Sequence, residues 1–436
     1  MSIAATVSGG MMDNTLVTLR LNAINFQTTC PRQASCRGDI IHRQRPSPPS
    51  VSFFIPIRIG HHPLPYHPPT PSAEVIIPIR TIQNLRAMTY RPLTTPLLLL
   101  AMTLLTLVAC GPKEKKSYEK YAVSGLTERA DHLRSNLQRF SSQGVMIGQE
   151  YATLQGVGWR GDSCRSDINS VCNDFPAANA YSLNGLERDM KKNTDGFTAD
   201  NLRTDILAMA RRGGLIVCRW QMDKPKDDAE QKLWVENIAR FLDSLQDGYG
   251  IHAPVMLLLM PLADDSWYAT LDPKAYRSLY KTLSESITAA GAKNVIYGYS
   301  CHITQSADTM MSRFPDGIAS LIDIEALSST TDHDAYATAL ASVLPPMRQA
   351  ADSYGAALGI TLGIGNADTD SYWEQTILPV ITSVPLSYAL FGTNKGQPDK
   401  HDIHAPFPGG KGINGFMRLY NDPKTLFAHD INGLYL

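Results

Sequence analysis

Lysine is missing from residues 1–87, and neither a helical nor a strand period runs through them. Arginine recurs there instead, at Arg20, Arg32, Arg37, Arg43, Arg45, Arg58, Arg80 and Arg86. Proline is dense, at Pro46, Pro48, Pro49, Pro63, Pro65, Pro68, Pro69 and Pro71. A stretch of this kind has no apolar face to bury, which excludes a packed domain. It reads as translated non-coding sequence ahead of the true start or, alternatively, as a disordered tail. Excess charge is also lacking. The chain has 436 residues and a formal net charge of −1, which excludes a partner held by its phosphate backbone, so no nucleic acid is expected. Cysteine and histidine do not cluster at zinc-ligand spacing, and nothing calls for a metal or other cofactor. A glycine-rich phosphate loop is absent after the first strand-like run, which weakens a doubly wound sheet.

Long apolar runs are scarce as well. The strongest, Leu97 to Val108, is too short for a comfortable membrane span. It follows Met88 and Arg91 and ends in Leu107-Val108-Ala109-Cys110-Gly111. A positive start, a short apolar stretch and small residues before a cysteine make a lipoprotein signal. Residues 88–109 are therefore expected to be the signal peptide, with Met88 as the start. The Cys110 thiol is expected to take a diacylglycerol, and residues 110–139 are expected to be the lipidated cysteine and the tether to a membrane. The implied location is the cell envelope, lipid-anchored to the outer membrane and facing the periplasm or the outside. A buried core helix is the alternative, and it leaves the small-residue–cysteine ending unexplained. Export also permits disulfides. Cys164 and Cys172 either pair or stay free, Cys218 reads as a buried thiol, and Cys30 and Cys36 fall in the doubtful extension.

From about Gly144 the chain alternates short apolar runs with longer amphipathic ones. The strand-like runs are Gly144–Gln149, Ala177–Leu183, Gly214–Trp220, Pro254–Leu262, Asn294–Ser300, Ala319–Glu325, Ala357–Ile364 and Val384–Phe391. Helical spacing recurs between them, over Thr198–Arg212, Ala229–Leu245 and Lys274–Ala290. This rhythm over residues 140–436 predicts an α/β fold, a (β/α)₈ TIM barrel. Such barrels carry their chemistry at the C-terminal ends of the strands. After the fourth run stand Asp264, Asp265, Trp267 and Tyr268. Paired acids beside aromatics suit sugar chemistry: a carboxyl can protonate a glycosidic oxygen, and a ring can stack on a pyranose. Acids or amides also end or follow other runs, at Gln149 and Glu150, at Gln221, at Asp323 and Glu325, at Asp368 and at Asn394. A solvated loop, or a hydrogen-bonded structural acid, is the bland reading of each.

Several ordered motifs go further. Gly148-Gln149-Glu150, Gly156-Val157-Gly158-Trp159, Arg165-Ser166-Asp167 and Asp174-Phe175-Pro176-Ala177 resemble the opening of glycoside hydrolase family 26, the β-mannanase family. Gly213-Gly214-Leu215-Ile216 with Trp220, Pro254-Val255 with Pro261-Leu262, and Asn294–Ser300 are similar to its third, fourth and fifth strands. Ala405-Pro406-Phe407-Pro408-Gly409 and Tyr420–Phe427 are similar to its ending. The resemblance implies a (β/α)₈ barrel and retaining hydrolysis of β-1,4-mannan by two glutamates, one an acid/base after strand four and one a nucleophile at the end of strand seven. A retaining pair must stand about 5–5.5 Å apart.

The resemblance carries the acid/base position onto Asp264, a shorter acid, and the preceding histidine onto Ala263. It carries the nucleophile onto Gly363, which has no side chain and can form no covalent intermediate. The strand-three and strand-one histidines fall on Gln221 and Gln149, and the tryptophan after strand eight falls on Gly392. Scaffold motifs remain while sugar-cleaving positions are replaced. Three readings follow. In the first, the barrel binds a mannan-like polysaccharide or oligosaccharide without cutting it, using Gln149, Glu150, Gln221, Trp267, Tyr268, Tyr299, Asp323 and Asn394. In the second, it is an active retaining or inverting mannanase with Asp264 as the acid and Asp323, Glu325 or Asp368 as a relocated partner. In the third, it is an interaction scaffold with a closed mouth.

Overall fold

The computed structural model describes residues 118–436 except 163, 189–190, 263–265, 329, 365–366 and 398–399. The extension 1–87, the signal segment 88–109, Cys110 and Asp264 lie outside the described residues.

Eight parallel strands close on themselves: β1 (Val145–Glu150), β2 (Ala178–Ser182), β3 (Leu215–Trp220), β4 (Val255–Leu259), β5 (Val295–His302), β6 (Ala319–Leu327), β7 (Ala357–Gly363) and β8 (Tyr388–Phe391). Each strand pairs with its chain neighbour, and the barrel closes where β1 meets β8, from Met146 opposite Tyr388 to Gln149 opposite Phe391. All eight match the expected runs to within a few residues. The expected helices form too, as α3 (Ala199–Arg211), α4 (Asp228–Asp243) and α5 (Pro273–Ala289). Their starts are fixed locally. Thr198 and Asn201 make a reciprocal capping box, Asp227 accepts from the Glu230 amide at 2.8 Å, and Asp272 caps a helix whose first residue is Pro273. The remaining helices are α1 (Glu128–Ser141) ahead of the barrel, α2 (Asp167–Cys172), α6 (Ala307–Ser312), α7 (His333–Ser353), α8 (Leu378–Ile381) and α9 (Ile413–Asn421). Among the described residues, no helix is long and apolar enough to cross a membrane.

Strand residues alternate between two cores. Ile147, Cys218, Leu257, Tyr299, Ile322 and Ile360 face the helices. Met146, Leu215, Val217, Met256, Leu258, Ile296, Leu321, Tyr388 and Leu390 fill the barrel interior. Helix α1 seals that interior from the N-terminal end, burying Ala130, Leu133, Leu137 and Phe140 in the same cluster. The chain terminus locks it in place. Asn136 donates to the carbonyls of Gly433, Leu434 and Leu436 at 3.0–3.2 Å, and a two-residue strand, Thr425–Leu426, pairs with the start of β1.

The middle of the barrel needs glycine. Tyr388 lies flat over Gly359, and a Cβ added there would stand 2.4 Å from the ring carbon Cζ. The ring cannot retreat, because it is fully buried and its hydroxyl donates to Asp323 at 3.0 Å. Gly359→Ala is therefore expected to lower stability by about 1–3 kcal/mol, the usual cost of overpacking a filled core. Gly248→Ala, where the added methyl meets nothing within 4 Å, is expected to change little. Urea denaturation midpoints of the two variants check this.

Candidate functional site

The inward side chains at the C-terminal ends of the strands build a polar floor over the apolar interior. Asp323 on β6 is fully buried. Its carboxylate accepts from Ser300 at 2.8 Å and from Thr361 and Tyr388 at 3.0 Å each. Thr361 in turn accepts from the Arg219 guanidinium. Burial alone works against the Arg219 charge, but Asp323, Glu325 and Glu150 around it prevail and hold its pKa above the usual arginine value. Glu150 is the opposite case. Burial pushes its carboxyl above the ordinary carboxylate range, and Arg219 only partly offsets this. Asp195 and Glu325 act in the same direction as burial.

Above this floor lies a cavity of about 600 Å³, lined among others by Glu150, Arg219, Leu327, Gly363, Lys395 and His404. A second hollow of about 440 Å³, walled by Trp159, Arg160, Asp195 and Asn394, shares Lys395 with the first. Trp159 is held in place by its indole N–H, which donates to Asp167 at 2.6 Å.

Two glycines shape the cavity. Gly363 ends β7, and Gly392 follows β8. His404 fills the space beside both. A Cβ on Gly392 would stand 2.9 Å from the imidazole Cγ, and one on Gly363 would meet Leu327 Cδ2 at 2.7 Å with His404 Nδ1 behind it at 3.7 Å. The segment carrying His404 returns over the mouth through a short antiparallel pair, Lys395–Gln397 with Lys400–Asp402. Asn394 pins it: its side-chain oxygen accepts from the amides of His404 and Ala405 at 2.9 Å, and its amide donates to Asp167 and to the Ala405 carbonyl. His404 Nε2 faces Asp402 at 3.3 Å, while Nδ1 is buried without a hydrogen-bond partner. With Nε2 bearing the proton toward Asp402, Nδ1 is left as a bare acceptor. Among the described residues, no three metal-ligating side chains converge.

The expected site residues divide. Glu150 lines the first cavity and Asn394 the second. Asp323 stands below the cavity as its support. Gln149 and Tyr299 sit one residue out of step with the inward positions and so face the helices. Tyr299 is fully buried and donates to the Met310 carbonyl at 2.5 Å. Tyr268 is also buried in the core, donating to the Pro261 carbonyl at 2.9 Å. Trp267 donates to the Met222 carbonyl at 3.0 Å and packs on the same core. The Gln221 amide is tied to Asn184 at 2.8 Å. None of these five lines either mouth cavity. Of the candidate relocated acids, Asp368 binds the Gly412 amide at 2.9 Å, and Glu325 stands by Arg219 and Glu150. Cys164 is exposed, Cys172 is buried with its Sγ on the Ile168 carbonyl at 3.3 Å, and Cys218 is buried with its thiol pushed up by burial.

Sequence reasoning missed Arg219, Thr361, Lys395 and His404 as site residues. A lone charge two places after Val217, on the inward side of an apolar strand, was a usable signal for Arg219. His404 had none, because a loop return decides where it lands.

No family model matches the chain. Solved structures do. A family 26 β-mannanase from Bacteroides ovatus is 25% identical, superposes with a TM-score of 0.67, and is matched over 71% of this chain and 98% of its own. The barrel shares the fold of these family 26 structures. A family 26 endo-β-1,4-mannanase from a Bacillus species (18% identity, TM-score 0.62, 75% of this chain and 98% of that one) has the same fold. So does a family 26 protein from a Muricauda species (16%, 0.61, 71% and 94%). A (β/α)₈ barrel of that fold thus accounts for the described residues, with the mouth cavities at the end where barrels of this kind carry their sites.

Glu150 offers a direct test of the electrostatics. Its folded pKa is raised, so the folded state binds its proton more tightly than the unfolded state does. Its contribution to stability is therefore full below the ordinary carboxylate pKa of about 4.3 and is lost as pH rises through the raised value. Glu150→Gln removes that loss. The variant is expected to gain stability over the parent as pH rises from about 4 to about 8, with little difference at the acid end. Denaturant midpoints across that range measure it.

Proposed function

We propose that this chain is an envelope lipoprotein, acylated at Cys110, whose barrel mouth binds a β-mannan-type oligosaccharide and leaves it intact. The observation that carries the second half is Gly363. It stands inward at the end of β7, beside the cavity, where the resemblance to family 26 requires the nucleophile. From Ala357 to Ile364 there is no carboxylate, and His404 and Leu327 occupy the space beside the glycine. Without that carboxylate, the covalent step of a retaining mechanism has no nucleophile on β7. What remains is suited to holding a sugar. Arg219 and Lys395 present donors, Glu150 and the bare His404 nitrogen accept, and Leu327, 41% exposed at the rim, offers an apolar face. The named substrates of the Bacteroides and Bacillus relatives, mannans, support this choice of glycan.

A second reading has one observation in its favour. Burial, with a smaller contribution from Glu325 nearby, raises the Glu150 pKa, so two carboxyl groups in unlike surroundings stand near one another at the mouth. That is an arrangement a glycosidase with relocated carboxylates requires. Asp323 does not suit the role, because three donors already saturate it below the floor.

The deciding experiment incubates the chain with β-1,4-mannan and with short manno-oligosaccharides, following calorimetric binding and new reducing ends together. Binding with no reducing ends above a heat-denatured control is expected. Lys395→Ala should weaken it several-fold, matching the loss of about 0.5–1.5 kcal/mol for one hydrogen bond. Reducing ends that vanish in Glu150→Gln or Asp264→Ala would establish the hydrolytic reading instead. Absence of both signals would remove mannan as the ligand.

A further inference from the structure

The exposed apolar side chains of this barrel are unevenly placed. Among the described residues, the large exposed hydrophobics are Tyr118, Tyr121, Val123, Leu233, Tyr249, Leu327, Tyr354 and Leu436. Leu327 belongs to the cavity rim, and Leu233 lies on α4. The other six share one end of the molecule. Tyr118, Tyr121 and Val123 precede α1, Tyr249 precedes β4, and Tyr354 precedes β7, while the Leu436 carbonyl is bound by Asn136 of α1. This is the N-terminal end of the strands, opposite the cavity.

Four of the six form a fixed group. The Tyr118 amide donates to the Tyr249 carbonyl at 3.3 Å, and the two rings meet edge-on at 6.4 Å. Glu119, between the exposed tyrosines, is turned inward onto His252 at 2.9 Å. The Ala122 amide donates to the Leu126 carbonyl at 2.9 Å, tying off a turn with Val123 at its tip, and Lys293 lies 5.3 Å from the Tyr121 ring centre. The segment is therefore held against the barrel while its rings remain 56–67% exposed. Fixed tyrosines with apolar bodies and polar tips, with lysine beside them, suit the headgroup layer of a bilayer. The chain itself points to that occupant. Cys110 stands eight residues before Tyr118, a fully extended reach of about 28 Å at most, so an acylated Cys110 keeps this end of the barrel close to the membrane.

We propose that the N-terminal end of the barrel docks on the bilayer that holds the Cys110 lipid, with Tyr118, Tyr121, Val123 and Tyr249 seated at headgroup level and the cavity facing away from the membrane. The inference rests on the lipoprotein half of the proposed function and is independent of the glycan half. The two acyl chains of a diacylglycerol on Cys110 supply the attachment itself. An aromatic patch near the acylated cysteine adds a second contact and sets an orientation that the lipid alone does not.

The test uses the full chain, processed in a bacterial host and reconstituted into vesicles of phosphatidylcholine and phosphatidylglycerol. Hydrogen exchange is compared with that of the Cys110→Ser chain free in solution. Amides in 118–126 and 247–252 are expected to exchange about tenfold more slowly on vesicles, while those in 392–405 at the mouth keep their rates. A Tyr118→Ser/Tyr121→Ser/Tyr249→Ser variant, still acylated, should lose the protection. Equal exchange at 118–126 in the acylated and free chains, or protection at 392–405 instead, would overturn the docking. The mass of the amino-terminal peptide reports the lipid separately. If no diacylglycerol is present, the lipoprotein reading fails and the docking fails with it, whatever the glycan measurements show.

Discussion

A carboxylate with no exposure to water sits across the middle of this barrel, and the mouth is organised around keeping it there. Asp323 spends its oxygens on Ser300, Thr361 and Tyr388, drawn from β5, β7 and β8, and through Thr361 it reaches Arg219 on β3. One buried charge thus ties together four strands that are not all neighbours. Breaking such a network is costly because it strands a charge where water cannot follow. It also sets the chemistry above it, since Arg219 is held between Asp323 below and Glu150 and Glu325 at its sides.

The cavity owes its shape to what two positions lack. Gly363 and Gly392 project nothing into the mouth, and a loop side chain, His404, takes the room. A glutamate and a tryptophan at these positions, as the family resemblance implies, could not share that space with His404 as it now stands. The loop that places His404 and the two glycines therefore depend on one another. Asn394 completes the set by fixing the loop to Asp167, the residue that also holds Trp159 at the edge of the second hollow.

The two ends of the barrel are built differently. At the N-terminal end, α1 and the chain terminus cover the interior with apolar packing and backbone hydrogen bonds. At the C-terminal end the interior gives way to charge, and the closing loops leave two joined hollows. This is the usual division of labour in such barrels, with stability at one face and the variable site at the other.

Much of this was legible in the chain. Apolar runs of strand length, alternating with 3.6-residue periodicity and closed by capping residues, determined the eight strands and the major helices, because both periods are local properties of the backbone. Ordered motifs determined the family resemblance, and the glycine at 363 was visible without a structure. What the chain could not show alone was facing. Gln149 and Glu150 are adjacent, yet one turns to the helices and the other to the cavity. Tyr268 and Tyr299 have the chemistry of sugar platforms, but they are spent on backbone carbonyls in the core. Only closure of the barrel assigns each strand its inward parity. Only the return of the 392–412 segment, far from β7 in sequence, brings His404 to the place that Gly363 leaves open.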